Sequence, residues 1–442
     1  MGLKRREKKV VILKNGTLIE PSTGFMGKMD LAIKGEKIVR IAEKIDAETM
    51  KKEMDGTDGV KVYDCTGKYI GPGLVDVHVH FRDPGFTYKE DIESGSIAAA
   101  RGGFTSVILM ANTKPAVDNE ETIQYVLNKG KETGIHVYTC ANVTKGMKGE
   151  ELTDFGTLLK AGAAGFTDDG VPLLEEELVR NAMKLAVKHD TVLSFHEEDP
   201  QYITNNGINR GRASEHFGIG GSDRQAEISM VKRDLALALE TGAKINFQHL
   251  STKEAIELIR EAKKLPEGKN IHAEATPHHI LLTELDAITH GTLGKMNPPL
   301  RTEEDRQAIL SGLMDGTIDL IATDHAPHAK EEKDKSITEA PSGILGLETA
   351  FAIANKELNK GNNMDFLQLF CKMSLNPARL YGINAGKLAE NGPADLVVFD
   401  PDKEWKIEKF ASKSQNSPFK NQKLIGKIEL TMCQGKILYD EL

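Results

Sequence analysis

The sequence predicts an α/β fold: a (β/α)8 TIM barrel carrying a small β-sandwich built from both ends of the chain. Three observations predict it. Short alternating β segments are confined to the two ends. Between them, brief apolar runs alternate with longer helical stretches, the signature of repeated βα units around a parallel sheet. At 442 residues, the chain exceeds a typical single domain but fits a barrel with a companion. The division expected is residues 1–71 for the first part of the sandwich, 72–384 for the barrel and 385–442 for the second part.

Taken in order, residues 10–13, 31–33 and 37–41 read as strands separated by turns at Asn15-Gly16 and Gly35. Eight barrel strands follow at 74–80, 104–110, 135–141, 165–167, 192–196, 244–249, 271–275 and 320–324, with helices such as 175–187 and 223–239 between them. Residues 395–400 and 435–439 return to the β texture of the start. No internal repeat or low-complexity segment interrupts this order.

The composition narrows the function. With 39% hydrophobic, 28% charged and only 5% aromatic residues, the chain has the profile of a globular enzyme without a stacking surface for nucleic acid. A formal net charge of -9 supplies no general field for a polyanion, which leaves small molecules as the expected ligands. The basic start at 4–9 mimics an export signal, but the apolar run after it is broken at Lys14, and nothing approaches a membrane span. A cytoplasmic location is expected. Cys65, Cys140, Cys371 and Cys433 lie far apart without a C-x-x-C pair, so neither a disulfide framework nor a thiolate metal site is expected.

Chemistry enters at Val75-Asp76-Val77-His78-Val79-His80. Alternation puts His78 and His80 on one face of a strand, and at the end of a first barrel strand that face meets the catalytic mouth. His196, His249 and Asp324 close three later strands. Four strand ends delivering imidazole or carboxylate to one point predict a bound metal. Adjacent Asp168 and Asp169 close the fourth strand, where alternation leaves open which of them faces inward.

These strings resemble the dihydroorotase branch of the amidohydrolase superfamily over nearly the whole chain. The motifs are His78-Val79-His80-Phe81-Arg82-Asp83-Pro84-Gly85, Met110-Ala111-Asn112-Thr113, Phe166-Thr167-Asp168-Asp169-Gly170, Asn297-Pro298-Pro299-Leu300-Arg301 and Thr323-Asp324-His325-Ala326-Pro327-His328. The resemblance implies Zn2+, two ions per chain: His78, His80 and Asp324 on one, His196 and His249 on the other, with Asp169 bridging. It also implies Asp324 as the proton shuttle of a reversible cyclic-amide hydrolysis, moving a proton between the attacking water and the leaving amide nitrogen. A substrate carboxylate would be met by Arg82, Asn112 and His328, and the ring by His80, Asn297 and the Ser342-Gly343 backbone. Hydantoinases, dihydropyrimidinases and allantoinases share the fold but place a carboxylated lysine on the fourth strand. Here that strand reads Ala163-Ala164-Gly165-Phe166-Thr167, with no lysine after it. An inactive relative that only scaffolds aspartate transcarbamoylase would have lost ligands, whereas all six stand here. A homodimer and association with aspartate transcarbamoylase are both compatible with the resemblance. His278-His279 is expected to support the site without binding metal, and residues 330–335 to form a solvated loop over the mouth, with room to act as a lid.

Overall fold

In a computed structural model, residues 10–53 and 59–442 are described; the basic start at 4–9 lies outside them. The strands are β1 (Val10–Glu20), β2 (Phe25–Lys34), β3 (Lys37–Ala42), β4 (Val60–Asp64), β5 (Tyr69–Pro72), β6 (Leu74–Val79), β7 (Phe104–Leu109), β8 (His136–Thr139), β9 (Val192–Phe195), β10 (Lys244–Phe247), β11 (Ile271–Ala275), β12 (Leu320–Ile321), β13 (Leu396–Lys406), β14 (Lys423–Cys433) and β15 (Lys436–Asp440).

The two chain ends join in one hydrogen-bonded sheet, ordered β15-β14-β13-β5-β1-β2-β3, with β4 also on β1. The join is the antiparallel pairing of β13 with β5, from Leu396↔Pro72 to Phe399↔Tyr69. Leu13 and Leu18 of β1, Leu31 of β2, Tyr63 of β4, Leu396 and Val398 of β13 and Leu430 of β14 share one apolar core, so the two halves stabilise each other by burial. The turn expected at Asn15-Gly16 is instead a bulge inside the long β1, with the register shifting between Leu13 and Gly16. Asn15 takes a left-handed conformation there, its amide donating 2.7 Å to Asp30 Oδ1. An Asx side chain tolerates that conformation, so the residue that signals a turn also makes the bulge. β14 is a strand the sequence reading missed.

β6-β7-β8 and β9-β10-β11-β12 are parallel sheets, and single rungs join them into the barrel. Phe166 bridges Ala141 on one side and Leu193 on the other, and Val79 pairs with His325 across the closing seam. The fourth strand is therefore shorter than 165–167 implied. It persists through hydrogen bonds such as Ala141 N to Gly165 O and Phe166 N to Val192 O, at 2.9 and 3.0 Å. The eighth strand ends at Ile321 rather than Asp324, since the chain turns there to bring Asp324 to the mouth. β6 is buried along its whole length, as expected of a parallel strand covered on both faces. The helix Glu176–His189 buries Val179, Ala182, Met183 and Ala186, an i, i+3, i+4, i+7 spacing that sets one stripe against the barrel. The helix expected at 223–239 runs Gln225–Thr241. No described helix is long and apolar enough to cross a membrane.

Residues 330–335 are not simply a solvated loop. Lys330–Lys333 forms a short helix, and Lys333 is buried, its ammonium donating 2.8 Å to Pro341 O and 3.3 Å to Gly343 O.

Candidate active site

His78, His80, Asp169, His196, His249 and Asp324 converge at the C-terminal mouth of the barrel, and all are buried. Asp169 lies at the centre. Its Oδ1 is 3.4 Å from His78 Nε2, 3.7 Å from His249 Nε2 and 3.8 Å from His196 Nδ1, and its Oδ2 is 3.4 Å from His80 Nε2. Asp324 Oδ1 is 2.9 Å from His80 Nε2 and 3.5 Å from His78 Nε2. Two overlapping sets, His78-His80-Asp324 and His78-Asp169-His249, each bring their ligand atoms within 4.8 Å of one another.

Outer groups aim these rings. His78 Nδ1 donates 2.6 Å to Glu274 Oε1, which turns its Nε2 toward Asp169 and Asp324. His80 Nδ1 donates 3.1 Å to Asn112 Oδ1, and His196 Nε2 donates 3.2 Å to Glu198 Oε2. These three imidazoles each spend one nitrogen on an acceptor outside the cluster and offer the other to its centre, as metal-ligating histidines do. Asp76 ties the frame together by accepting from the amides of His78 and Thr323, both at 3.1 Å, across the closing seam. Glu274, Glu198 and Asp76 were not picked out from sequence. Glu274 lies on β11, and only alternation within Ile271–Ala275 hinted that it faces inward.

The donor set fits a borderline divalent metal. His78 Nε2, His249 Nδ1 and Asp169 Oδ1 are buried without any hydrogen-bond partner, although each belongs to the cluster. Burial opposes charge on His78, yet Asp169, Glu274 and Asp324 hold its pKa well above the usual imidazole value. Burial likewise opposes charge on Asp169, but His78, His249 and His80 hold it well below the carboxylate range. A divalent cation held among these groups would balance the carboxylates directly.

Arg82, Asn112, Asn297, His328 and Ser342 line the same cavity of about 200 Å³, together with Gly170, Met296 and Ala326, which sequence reading did not single out. That volume suits a small ring better than a drug-sized ligand. Arg82 does not reach the cavity by continuing the strand alternation: it lies beyond β6, in a left-handed conformation with φ of 59°. His249 and Asp324 share that region, with φ of 32° and 47°. Non-glycine residues incur strain there, and these three face the cavity. Half-buried Arg82 donates 3.3 Å to Pro327 O, has Nη2 3.5 Å from His328 Nε2 and forms no ion pair among the described residues. Gly343 is turned away, its amide donating 2.9 Å to Lys295 O, and a Cβ there would come within 2.8 Å of the His328 ring. His279 donates 3.0 Å to Pro298 O through Nε2, while burial pulls its pKa to about 4, so it acts as a neutral tether.

Asp168 faces away from the cluster. It accepts from Val143 N at 2.9 Å, Asn142 Nδ2 at 3.2 Å, the Thr144 amide at 3.1 Å and the Thr144 hydroxyl. Asp169→Ala should therefore lower bound metal and activity together. Asp168→Ala should keep its metal but lose roughly 3 kcal/mol of stability, because buried donors are left unpaired. Metal content and thermal unfolding of both variants test this, and the opposite pattern would exchange their roles.

Fold and site together define a metal-dependent hydrolase on a (β/α)8 barrel. Residues 69–438 match the Amidohydrolase family. Dihydroorotases of Clostridioides difficile (strain 630) and Clostridium acetobutylicum are 50% and 46% identical over 431 and 434 residues, covering 98% of this chain and 100% of each relative. The solved L-hydantoinase (dihydropyrimidinase) from Arthrobacter aurescens superposes with a TM-score of 0.84 at 24% identity, over 98% of this chain and 96% of its own, a likeness of fold alone. The chain belongs to the amidohydrolase family, among its dihydroorotases.

Proposed function

We propose that this chain interconverts N-carbamoyl-L-aspartate and L-dihydroorotate plus water, a step of pyrimidine biosynthesis, with two zinc ions held by His78, His80, Asp169, His196, His249 and Asp324. The observation that carries this reading is the pairing of that cluster with a half-buried arginine that has no carboxylate partner among the described residues, in one small cavity. A guanidinium facing such a cavity without a carboxylate is a fitting partner for one, and the substrate supplies it. Zinc suits the imidazole and carboxylate donors, and the placement of Asp169 between the histidine pairs supports a bridging role.

The chemistry such metals supply is activation of water near neutral pH and polarisation of a carbonyl. Arg82, with Asn112 and His328, orients the ring by its carboxylate. Asp324 takes the proton of the attacking water and delivers it to the ring nitrogen as the amide bond breaks; in closure it runs the same path backwards. Burial raises the cost of charge on Asp324, but His78, His80 and His249 hold its pKa below the ordinary carboxylate range, so it stands ready as a base. Ring closure consumes one carboxylate and one proton, so the equilibrium should move toward dihydroorotate as pH falls.

Purified protein supplemented with zinc, given dihydroorotate and followed by loss of ring absorbance, tests the activity; absence of turnover in both directions refutes it. Metal analysis of the same sample should give about two zinc ions per chain. A value that stays at one after supplementation would remove the bridging role from Asp169.

A further inference from the structure

We infer that Lys89 is a positioning residue that holds His328 in its Nε2–H tautomer, so that the neutral imidazole is fixed by its bond to the Ser342 carbonyl at the carboxylate end of the cavity. The consequence for substrate rests on the reading of His328 given above; the tautomer itself rests on geometry.

Lys89 follows the turn after β6, its amide donating 2.9 Å to Phe86 O and its ammonium reaching His328 Nδ1 at 3.4 Å. An ammonium can only donate, so Nδ1 must offer a lone pair. At the other edge of the ring, Nε2 lies 2.8 Å from Ser342 O, a carbonyl that can only accept, so Nε2 must carry the proton. Lys89 and Ser342 therefore select the same tautomer, and the Ser342 carbonyl at 2.8 Å outweighs Arg82 Nη2, a donor that lies 3.5 Å from Nε2. The doubly protonated ring is disfavoured as well: burial, then Arg82, Lys89 and Lys333, hold the pKa of His328 well below the usual imidazole value.

Glu332 is what makes Lys89 necessary. Its Oε2 lies 3.7 Å from His328 Nδ1, outside hydrogen-bond range but the nearest acceptor to that nitrogen should Lys89 be lost. In place, Lys89 binds Glu332 Oε1 at 2.9 Å, Tyr88 donates to the same oxygen at 3.0 Å, and the Ala329 amide donates to Oε2 at 3.0 Å. Without the ammonium, the carboxylate would draw a proton onto Nδ1 and leave Nε2 as an acceptor against the Ser342 carbonyl. The bond that fixes the ring at the carboxylate end of the cavity would then be gone, although no residue lining that cavity had changed.

The test uses the zinc-loaded, full-length protein with nitrogen-15-labelled histidine, in which nitrogen shifts separate lone-pair-bearing from protonated ring nitrogens. The His328→Gln variant identifies the His328 signals. In the wild type, Nδ1 should bear the lone pair and Nε2 the proton. Lys89→Met should move the proton to Nδ1, and Lys89→Arg, which keeps a donor, should restore the wild-type pattern. A wild-type ring protonated on Nδ1, or an unchanged tautomer in Lys89→Met, overturns the assignment. In kinetics, Lys89→Met should raise KM for dihydroorotate about ten-fold while kcat stays within about two-fold, because a binding contact is lost and the reacting atoms are untouched. If the tautomer shifts as expected but neither Lys89→Met nor His328→Gln changes KM, the tautomer lock stands and the reading of His328 as a substrate contact fails.

Discussion

Asp324→Asn is expected to lower turnover in both directions by about 10²- to 10⁴-fold, the usual contribution of a positioned general acid-base group, while dihydroorotate still binds. Asparagine keeps the shape and one oxygen near His80 Nε2, which Asp324 Oδ1 approaches to 2.9 Å, but it cannot accept and return a proton. Geometry favours this carboxylate over its neighbour. Both line the cavity, but Asp169 is enclosed by four imidazoles, whereas Asp324 stands on the turn after β12 and approaches two, His80 and His78. Its backbone, at φ of 47°, is braced by the Thr323 amide on Asp76 and by the pairing of His325 with Val79. The variant should be assayed at measured metal content, since Asp324 is also placed to hold metal. Substantial residual turnover with full metal would assign the shuttle to another group.

Arg82→Met should cost about 10- to 150-fold in kcat/KM for dihydroorotate, the range of one charge-assisted hydrogen-bond contribution, and far less for the neutral ring dihydrouracil. The wild-type site should itself disfavour the neutral ring, because without a carboxylate the half-buried guanidinium keeps Pro327 O as its acceptor and gains no charged partner. Lysine should rescue only in part, since it cannot present two parallel donors. Equal losses on both substrates would mean that Arg82 acts on the metal cluster or the fold, and the choice of dihydroorotate over other cyclic amides would lose its main physical support.

Sequence alone determined the periodicities and the chemistry-bearing residues at strand ends. Alternation put His78 and His80 on one face, and βα spacing placed His196, His249 and Asp324 at the same end of the barrel. These features are local or repeat at short range, so a linear pattern carries them. Tertiary structure decided the rest. Alternation could not choose between Asp168 and Asp169, because the fourth strand is a single rung at Phe166 and the chain leaves strand geometry just beyond it. The choice came from donors elsewhere: Asn142, Val143 and Thr144 claim Asp168, which leaves Asp169 to the histidines. Arg82 likewise reached the cavity through a left-handed turn rather than strand periodicity. Glu274, Glu198 and Lys89 act on residues 196, 2 and 239 positions away. For Glu274 and Lys89 no sequence period spans that distance, and only the closed barrel brings their partners within hydrogen-bond reach.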